Sequence, residues 1–498
     1  MTSTNITWFF KGSVIGICGA GAMGAGIAQV AAQAGHNVIV YDSFDEALDV
    51  GKTRVAKGAL ALLKRGKISN EEAEAIQNRV KWTKNIKDIK PCKLIIEAII
   101  ERRDAKVDLF AQLEAIVSSS TILASNTSSL SISSLAMKLK RPENFLGLHF
   151  FNPAPIMKLV EVISGLGSRP DVVQSCYNLM EEWGKIAVMA KDVPGFIVNR
   201  IARPFYGEGW RAYEEEAASA ATIDFLYRDL AGFRMGPLEL GDLIGHDINS
   251  KAAKSIFNAY FGQTRFSPSL TQASFAESGF LGRKSGRGVY DYAEEAVKVG
   301  VDFAKVASLK MITCGPNTNF AKWFTSAEID SKLPDGFVEV DGVLIGFSGG
   351  HTAGFLAYLY GMPVALLDVA LDLNSVSALA YCVSDERADE AARAFITGLK
   401  KKAVRVKDRP GMIVLRTLLQ IVNAAVDALR DQVADEAAID KAMLYGVNYP
   451  VGPISWARGY GFDKVCAALE AIANETGQSR LYVANEKLKS LARFSKNT

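Results

Sequence analysis

The chain has 498 residues, too many for one ordinary core, so length alone implies two to four domains. Apolar residues at 49% against 22% charged exclude a disordered or fibrous chain, and a net charge of +3 without a Lys/Arg block removes the footprint of a nucleic-acid binder. Six scattered cysteines (Cys18, Cys92, Cys176, Cys314, Cys382 and Cys466) show no CxxC or metal-type pairing, which fits free thiols in a reducing cytosol and no metal site.

Two long runs carry no formal charge, Gly12 to Gly35 and Thr352 to Leu367. The first is rich in glycine and alanine rather than leucine, unlike a secretory signal. The second is too short to span a bilayer and is broken by Gly361 and Pro363. The expectation is a cytoplasmic protein with no membrane partner.

In chain order, Val14 to Cys18 reads as a short apolar strand, and Gly19-Ala20-Gly21-Ala22-Met23-Gly24 as a GxGxxG. Helix-forming small residues run from Ala25 to Ala34, and a second strand, Asn37 to Tyr41, ends at Asp42. In such a unit Gly19 permits the tight turn and Gly21 lets the backbone approach a pyrophosphate. Gly24 lets the helix pack closely on the strand, and the helix N-terminus faces the anion. A bare GxGxxG is common, but strand, glycines, helix, strand and acid in this order mark a dinucleotide site. Asp42 is placed to bind both ribose hydroxyls and repel a 2′-phosphate, and no Arg follows it directly, so NAD is expected rather than NADP.

The rest of the first half alternates. Strands are expected at Val80–Thr83, Leu94–Ala98, Thr121–Ser125, Phe145–Phe151 and Lys158–Ile163, and helices at Phe44–Arg65, Asn70–Asn78, Lys106–Val117 and Pro170–Trp183. That pattern predicts an α/β fold with a doubly wound, mostly parallel Rossmann sheet. Ser128, His149, Asn152 and Glu161 all fall near strand ends, where such sheets bind ligands. A His beside a carboxylate is a general base with an orienting partner. Singly each has a plainer reading: a satisfied core His, a helix-capping Ser, a Glu on a solvent face. Together they converge on one crevice.

From about Val14 to Tyr290 the chain resembles the 3-hydroxyacyl-CoA dehydrogenase family. The motifs that carry this are "GAGAMGAGIAQVAAQAGH", "IIEAIIE", "ASNTSSLSI", "GLHFFNPAPIMKLVEV", "DVPGFIVNR" and "MGPLEL". The resemblance implies that His149 is the base and Glu161 its partner, with Ser128 and Asn199 holding the substrate. It also implies that Asp42, Glu101, Lys106, Ser128, Asn152 and Lys284 contact NAD, beside Gly19, Gly21, Ala22, Met23 and Gly24. The implied reaction takes the C3 hydroxyl of an acyl-CoA to a ketone. Lys57, Lys64, Arg65 and Lys67 lie on or just after the helix past Asp42. They read equally as a CoA phosphate site and as a solvated helix face. His36, His246 and His351 have plain readings, with no carboxylate partner supplied by the motifs.

After residue 191 the pattern turns helical, with one long helix expected from Phe196 to Ala217. Residues Val406 to Asp463 align without gaps on Ala190 to Asp247, pairing Lys191 with Lys407 and Gly236-Pro237 with Gly452-Pro453. Leu415 stands where Asn199 stood, so the second copy is expected to be structural. The expected domains are therefore 1–191, an NAD-binding Rossmann domain; 192–293, an all-α domain; 294–405, an eroded α/β segment without GxGxxG or a His/Glu pair; and 406–498, a second all-α copy. A duplicated helical domain also suggests an internal pseudo-dimer.

Long chains of this layout, without a hydratase domain, resemble the bacterial enzymes that oxidise 3-hydroxyadipyl-CoA in phenylacetate catabolism. That substrate's distal carboxylate wants a cation, and Arg203 sits one helical turn after Asn199. An ion pair at a surface or between domains is the plainer reading of Arg203. The alternatives are a 3-hydroxybutyryl-CoA dehydrogenase of general fatty-acid metabolism, or a NAD-binding structural protein with a decayed site. A sugar-nucleotide dehydrogenase is disfavoured because no loop cysteine stands ready to form its thioester.

Overall fold

Strands buried on both faces need continuous apolar runs, and the first half of the chain supplies them. The computed structural model describes residues 9, 12–293, 300–309, 312–316 and 328–495. Its first sheet is built from β1 (Val14–Cys18), β2 (Asn37–Tyr41), β3 (Val80–Thr83), β4 (Leu94–Glu97), β5 (Ile122–Ser125), β6 (Phe145–Phe150), β7 (Leu159–Ser164) and β8 (Ile186–Lys191). The spatial order is β3-β2-β1-β4-β5-β6-β7-β8, parallel throughout except that β6 and β7 run antiparallel. The order reverses at β1, the switch point where such sheets bind nucleotides. Connecting helices are α1 (Ala22–Gln33), α2 (Asp45–Lys64), α3 (Asn70–Asn78), α4 (Arg103–Ile116), α5 (Ile132–Leu135) and α6 (Pro170–Glu182). The Rossmann expectation holds.

Further on come α7 (Val198–Ile201), α8 (Arg203–Glu214), α9 (Ala220–Asp229), α10 (Pro237–Ile244), α11 (His246–Ala259) and α12 (Leu270–Glu277). The single helix expected over 196–217 is two. It breaks at Ala202, and Pro204 opens the second piece because its ring cannot continue a preceding turn. In the second copy Gln420 stands at the corresponding place, and one unbroken helix runs over Val414–Arg430.

A second, seven-stranded sheet follows: β9 (Thr313–Cys314), β10 (Glu328–Ile329), β11 (Val338–Val340), β12 (Val343–Phe347), β13 (Val364–Leu367), β14 (Ala378–Val383) and β15 (Lys402–Arg405), ordered β10-β9-β11-β12-β13-β14-β15. The strand-like run 337–347 is a hairpin. It turns at Asp341-Gly342, both at positive φ, the type I′ pattern. Helices α13 (Ala353–Tyr360) and α14 (Arg387–Gly398) flank this sheet. Then come α15 (Val414–Arg430), α16 (Glu436–Gly446), α17 (Pro453–Tyr460), α18 (Phe462–Thr476), α19 (Ser479–Tyr482) and α20 (Glu486–Ser495). Of the segment expected as eroded α/β, residues 294–299, 310–311 and 317–327 lie outside the described residues.

The chain divides into two units, Met1–Arg200 with Asp431–Val447, and Ile201–Arg430 with Asn448–Thr498. In the first, α16 packs on β7 and β8, and a Cβ on Gly446 would fall 2.6 Å from the Leu159 side chain. In the second, α8 packs on α15. Among the described residues no helix is long and apolar enough to cross a membrane.

The repeat is written into the backbone. Gly195 and Phe196 at φ 77° and 45° recur as Gly411 and Met412 at 73° and 51°. Gly245 at φ 102° recurs as Gly461 at 107°. The β12–β13–β14–β15 pairing, parallel then antiparallel then parallel, matches that of β5–β6–β7–β8. The amides opening α5 bind Asp192, and those opening α13 bind Asp408, its repeat partner. With the sheets so aligned, Asp368 stands where His149 stands and Ala380 where Glu161 stands.

Asp368 is fully buried and accepts the amide N–H groups of Ile413, Val414 and Leu415 at 2.9, 2.7 and 2.9 Å. Burial pushes its carboxyl up against these three bonds. Replacing it by alanine strands those donors in the interior. Asp368→Ala should lower unfolding stability by about 3 kcal/mol in denaturant melts, with NAD affinity unchanged. An unaltered melting profile would contradict this account.

Candidate active site

His149 on β6 and Glu161 on β7 are directly paired residues across the antiparallel register. His149 Nδ1 lies 2.6 Å from Glu161 Oε2, with both side chains buried. The other carboxylate oxygen, Oε1, accepts the amide N–H of Ile197 at 2.9 Å and of Val198 at 3.0 Å. Those amides open α7, which carries Asn199. A buried carboxylate must be satisfied, and this one is satisfied by the ring and by the helix start together. Phe151 and Phe196 pack around the imidazole, their ring centroids 4.5 and 5.9 Å away. Glu161 has no solvent-exposed surface, so its solvent-face reading is overturned.

Asn199 Nδ2 donates to the Ser128 carbonyl oxygen at 3.3 Å, bringing these two residues together. Ser128 is not a helix cap. That task falls to Ser131, whose hydroxyl accepts the Ser134 amide. Ser128 N–H donates instead to Glu101 Oε1 at 3.1 Å, which also accepts the hydroxyls of Thr127 and Ser129 at 2.6 and 3.0 Å.

Below this turn Glu101 and Lys106, two of the expected NAD contacts, join Glu97, which the resemblance does not single out. Lys106 Nζ sits 2.5 Å from Glu97 and 3.1 Å from Glu101, and Glu97 also accepts the Ser125 hydroxyl at 2.6 Å. Burial pushes the Glu97 carboxyl up. Burial also opposes the charge on Glu101, but Lys106 and the neighbouring hydroxyls outweigh it and hold that carboxyl down. The signal in the sequence was "IIEAIIE", whose first Glu was passed over. Lys185 was missed too. Its Nζ donates to the carbonyl oxygens of Ala154 and Met157 at 2.5 and 2.9 Å, pinning the loop after β6, and burial lowers it to about 8.

The glycine-rich turn fits a dinucleotide on the observed backbone. Gly19 has φ 105°, and a Cβ there would meet the Ala98 carbonyl oxygen at 2.6 Å. A Cβ on Gly24 would lie 1.8 Å from the Gly19 carbonyl oxygen. A Cβ on Gly21 would meet nothing within 4 Å, leaving space over the turn. No side chain caps α1, and its first turn carries no acid, so its N-terminal amides suit a phosphate. Asp42 Oδ2 accepts the Ala20 amide at 2.8 Å and braces the turn. Ala22 and Met23 begin α1, and Asn152 lies exposed before a cis peptide to Pro153.

The models of this family's two domains both match. The NAD-binding domain of 3-hydroxyacyl-CoA dehydrogenase covers residues 14–193, and the C-terminal domain covers 195–292 and again 411–498. The chain belongs to the 3-hydroxyacyl-CoA dehydrogenase family. It is 41% identical to the 3-hydroxyadipyl-CoA dehydrogenase of Escherichia coli K12 over 94% of both chains. A crystal structure titled 3-hydroxybutyryl-CoA dehydrogenase, from Escherichia coli K12, matches with a TM-score of 0.90 and 38% identity, covering 98% of this chain and 100% of that one. The 3-hydroxybutyryl-CoA dehydrogenase of Clostridioides difficile is 38% identical over 56% of this chain and 99% of its own. The protein is thus a NAD-dependent 3-hydroxyacyl-CoA dehydrogenase, and the twofold match of the C-terminal model reports the repeat independently.

The remaining expected residues of this dehydrogenase are dispersed. Lys57, Lys64, Arg65 and Lys67 are exposed on or just after α2. Lys284 and Arg203 belong to the second unit, where Lys284 pairs with Asp247 at 2.5 Å and Arg203 donates to Asn249. Two plain histidines do have acidic partners. His246 Nε2 lies 2.6 Å from Asp242, one turn earlier, and His351 Nδ1 lies 2.6 Å from Glu475, distant in sequence. Among the described residues His36 has no carboxylate hydrogen-bond partner; its Nδ1 donates to the Ser13 carbonyl oxygen at 3.1 Å. Among the described residues no His, Cys, Asp and Glu group suits a metal.

Proposed function

We propose that His149 is the general base that removes the C3 hydroxyl proton of an (S)-3-hydroxyacyl-CoA. Glu161 is its positioning residue, and Ser128 and Asn199 hold the substrate oxygens. The observation that carries this reading is the bridging carboxylate of Glu161, which joins the ring to the helix start behind Asn199. An ionised carboxylate only accepts, so Nδ1 carries the proton and Nε2 keeps its lone pair for the substrate. The proton moves from the hydroxyl to Nε2, the C3–O bond becomes a carbonyl, and the Glu161 charge stabilises the imidazolium. NAD, when bound, supplies the hydride acceptor. Gly19, Gly21, Gly24 and the α1 amides would hold its pyrophosphate, with Asp42 toward the ribose. The exposed Lys57, Lys64, Arg65 and Lys67 are the cations available to CoA phosphates.

For the acyl group we take 3-hydroxyadipyl, supported by the whole-length relative of that name. The whole-length structure titled for 3-hydroxybutyryl-CoA keeps the shorter substrate as a second reading. The purified protein with NAD should form NADH from (S)-3-hydroxyadipyl-CoA faster, at limiting substrate, than from (S)-3-hydroxybutyryl-CoA. His149→Gln should lose about a thousandfold in kcat on either, the scale of a general base. Preference for the butyryl substrate would favour the second reading, and an unaffected His149→Gln would remove the base.

The repeat also supports an internal pseudo-dimer. The Lys191 amide donates to Val433 and the Lys407 amide to Ala217, both at 2.9 Å, each pair the other shifted by one repeat. Likewise Arg200 pairs with Asp431 and Arg416 with Glu215, as one copy would pair with another in a symmetric dimer. Small-angle scattering should therefore give a mass near that of one chain. A mass of two chains at micromolar concentration would contradict this.

A further inference from the structure

Glu97 closes β4, directly across from Cys18 on β1 and Ser125 on β5, so it stands at the carboxyl edge of the first sheet, beside the glycine turn. It is fully buried, and every hydrogen bond it makes is an accepted one. Lys106 Nζ at 2.5 Å and the Ile99 amide at 2.7 Å donate to Oε1, and the Ser125 hydroxyl at 2.6 Å donates to Oε2. Burial pushes this carboxyl up, but acceptor-only bonding is the pattern of its ionised form. Lys106 is buried as well and shares its charge with Glu101, 3.1 Å away and exposed at the sheet edge. Among the described residues neither carboxylate pairs with a second cation. Two carboxylates thus share one ammonium, and the cluster keeps one net negative charge. For the fold alone such a surplus is a cost, because apolar residues of similar volume would pack there as well or better.

The order of the sheet places β4 and β5 between β1, whose turn suits the pyrophosphate, and β6, which carries His149. The hydride acceptor must lie beside the substrate, so the nicotinamide end belongs over the β4–β5 edge, between the glycine turn and the base proposed above. Glu101 stands at that edge, and its Oε1 accepts the amide of Ser128, the residue proposed to hold the substrate. The nicotinamide ring is a cation in oxidised NAD and neutral in NADH. We propose that Glu97 sets the preference of the site for the oxidation state of its cofactor. Its charge gives the cluster the negative surplus that favours the cationic ring over the reduced one. Without it, Lys106 and Glu101 form a neutral pair. Glu97 acts through Lys106 and Glu101, as a positioning residue. The inference rests on the reading of the crevice above and adds what balances the two forms of the cofactor there.

The test is calorimetric titration of the full chain with NAD and with NADH, beside a thermal melt. Glu97→Gln should raise Kd for oxidised NAD about tenfold and leave Kd for NADH within about twofold, the scale of one unit charge at an effective dielectric constant of about 20. Glu101→Gln neutralises the same cluster from its exposed end, where folding is not at stake, and should split the two affinities in the same direction. Glu97→Asp keeps the charge and should keep the wild-type ratio, which a role in packing alone would not preserve. Equal weakening of both forms in Glu97→Gln, or an unchanged ratio in Glu101→Gln, overturns the proposal. So does a Glu97→Asp that behaves like Glu97→Gln. An unfolded Glu97→Gln leaves the decision to Glu101→Gln, whose ratio suffices. A wild type that binds both forms, with the ratio intact in every variant, sinks this inference alone. A wild type that binds neither form sinks the dinucleotide site with it.

Discussion

One carboxylate organises the catalytic end of this protein. Glu161 emerges from β7 into an interior that would not tolerate it unpaired, and its two oxygens are satisfied in two directions. One fixes the tautomer and tilt of His149 on the neighbouring strand. The other ends the chain's approach to α7 by taking its first free amides. Because helix starts carry unsatisfied N–H groups, this bond sets where α7 begins and so where Asn199 stands. Ring, carboxylate and asparagine are held by a single buried charge rather than by three independent packings.

The second half of the chain shows the same anchoring task without the chemistry. Asp368, at the place of the histidine, reaches the equivalent helix start and takes three amides. Ala380 replaces the glutamate, and Leu415 replaces the asparagine. The buried carboxylate stands where the fold needs it, and the imidazole proposed above as the proton acceptor has no counterpart. Anchoring and catalysis are thus separable demands on the position.

Much of this was legible in the sequence. The order of strand, glycines, helix, strand and acid located the NAD fold, because each glycine answers a local steric need. The spacing of His149 and Glu161 revealed a pair because two adjacent strands bring them into register. Features set by distant partners were not legible. Nothing near Asp368 tells that amides some forty-five residues later will need it. Nothing near Lys185 names the carbonyl oxygens of Ala154 and Met157. Ser131 rather than Ser128 caps α5 because the helix begins only at Ile132, later than the serine run suggests. Pro204 did signal the break in the long helix, and the apolar period around it concealed that signal.

The central claim is that Glu161 works through the tautomer of His149 while anchoring α7. Glu161→Gln separates the two. The amide's oxygen still accepts from Ile197 and Val198, but its NH₂ faces Nδ1 and donates to it, which puts the imidazole proton on Nε2. The measurement is single-turnover NADH formation by Glu161→Gln beside NAD binding and a thermal melt. The account predicts a loss of at least about a thousandfold in the chemical step, with NAD affinity and melting temperature close to wild type. A variant that oxidises substrate at the wild-type rate would contradict it.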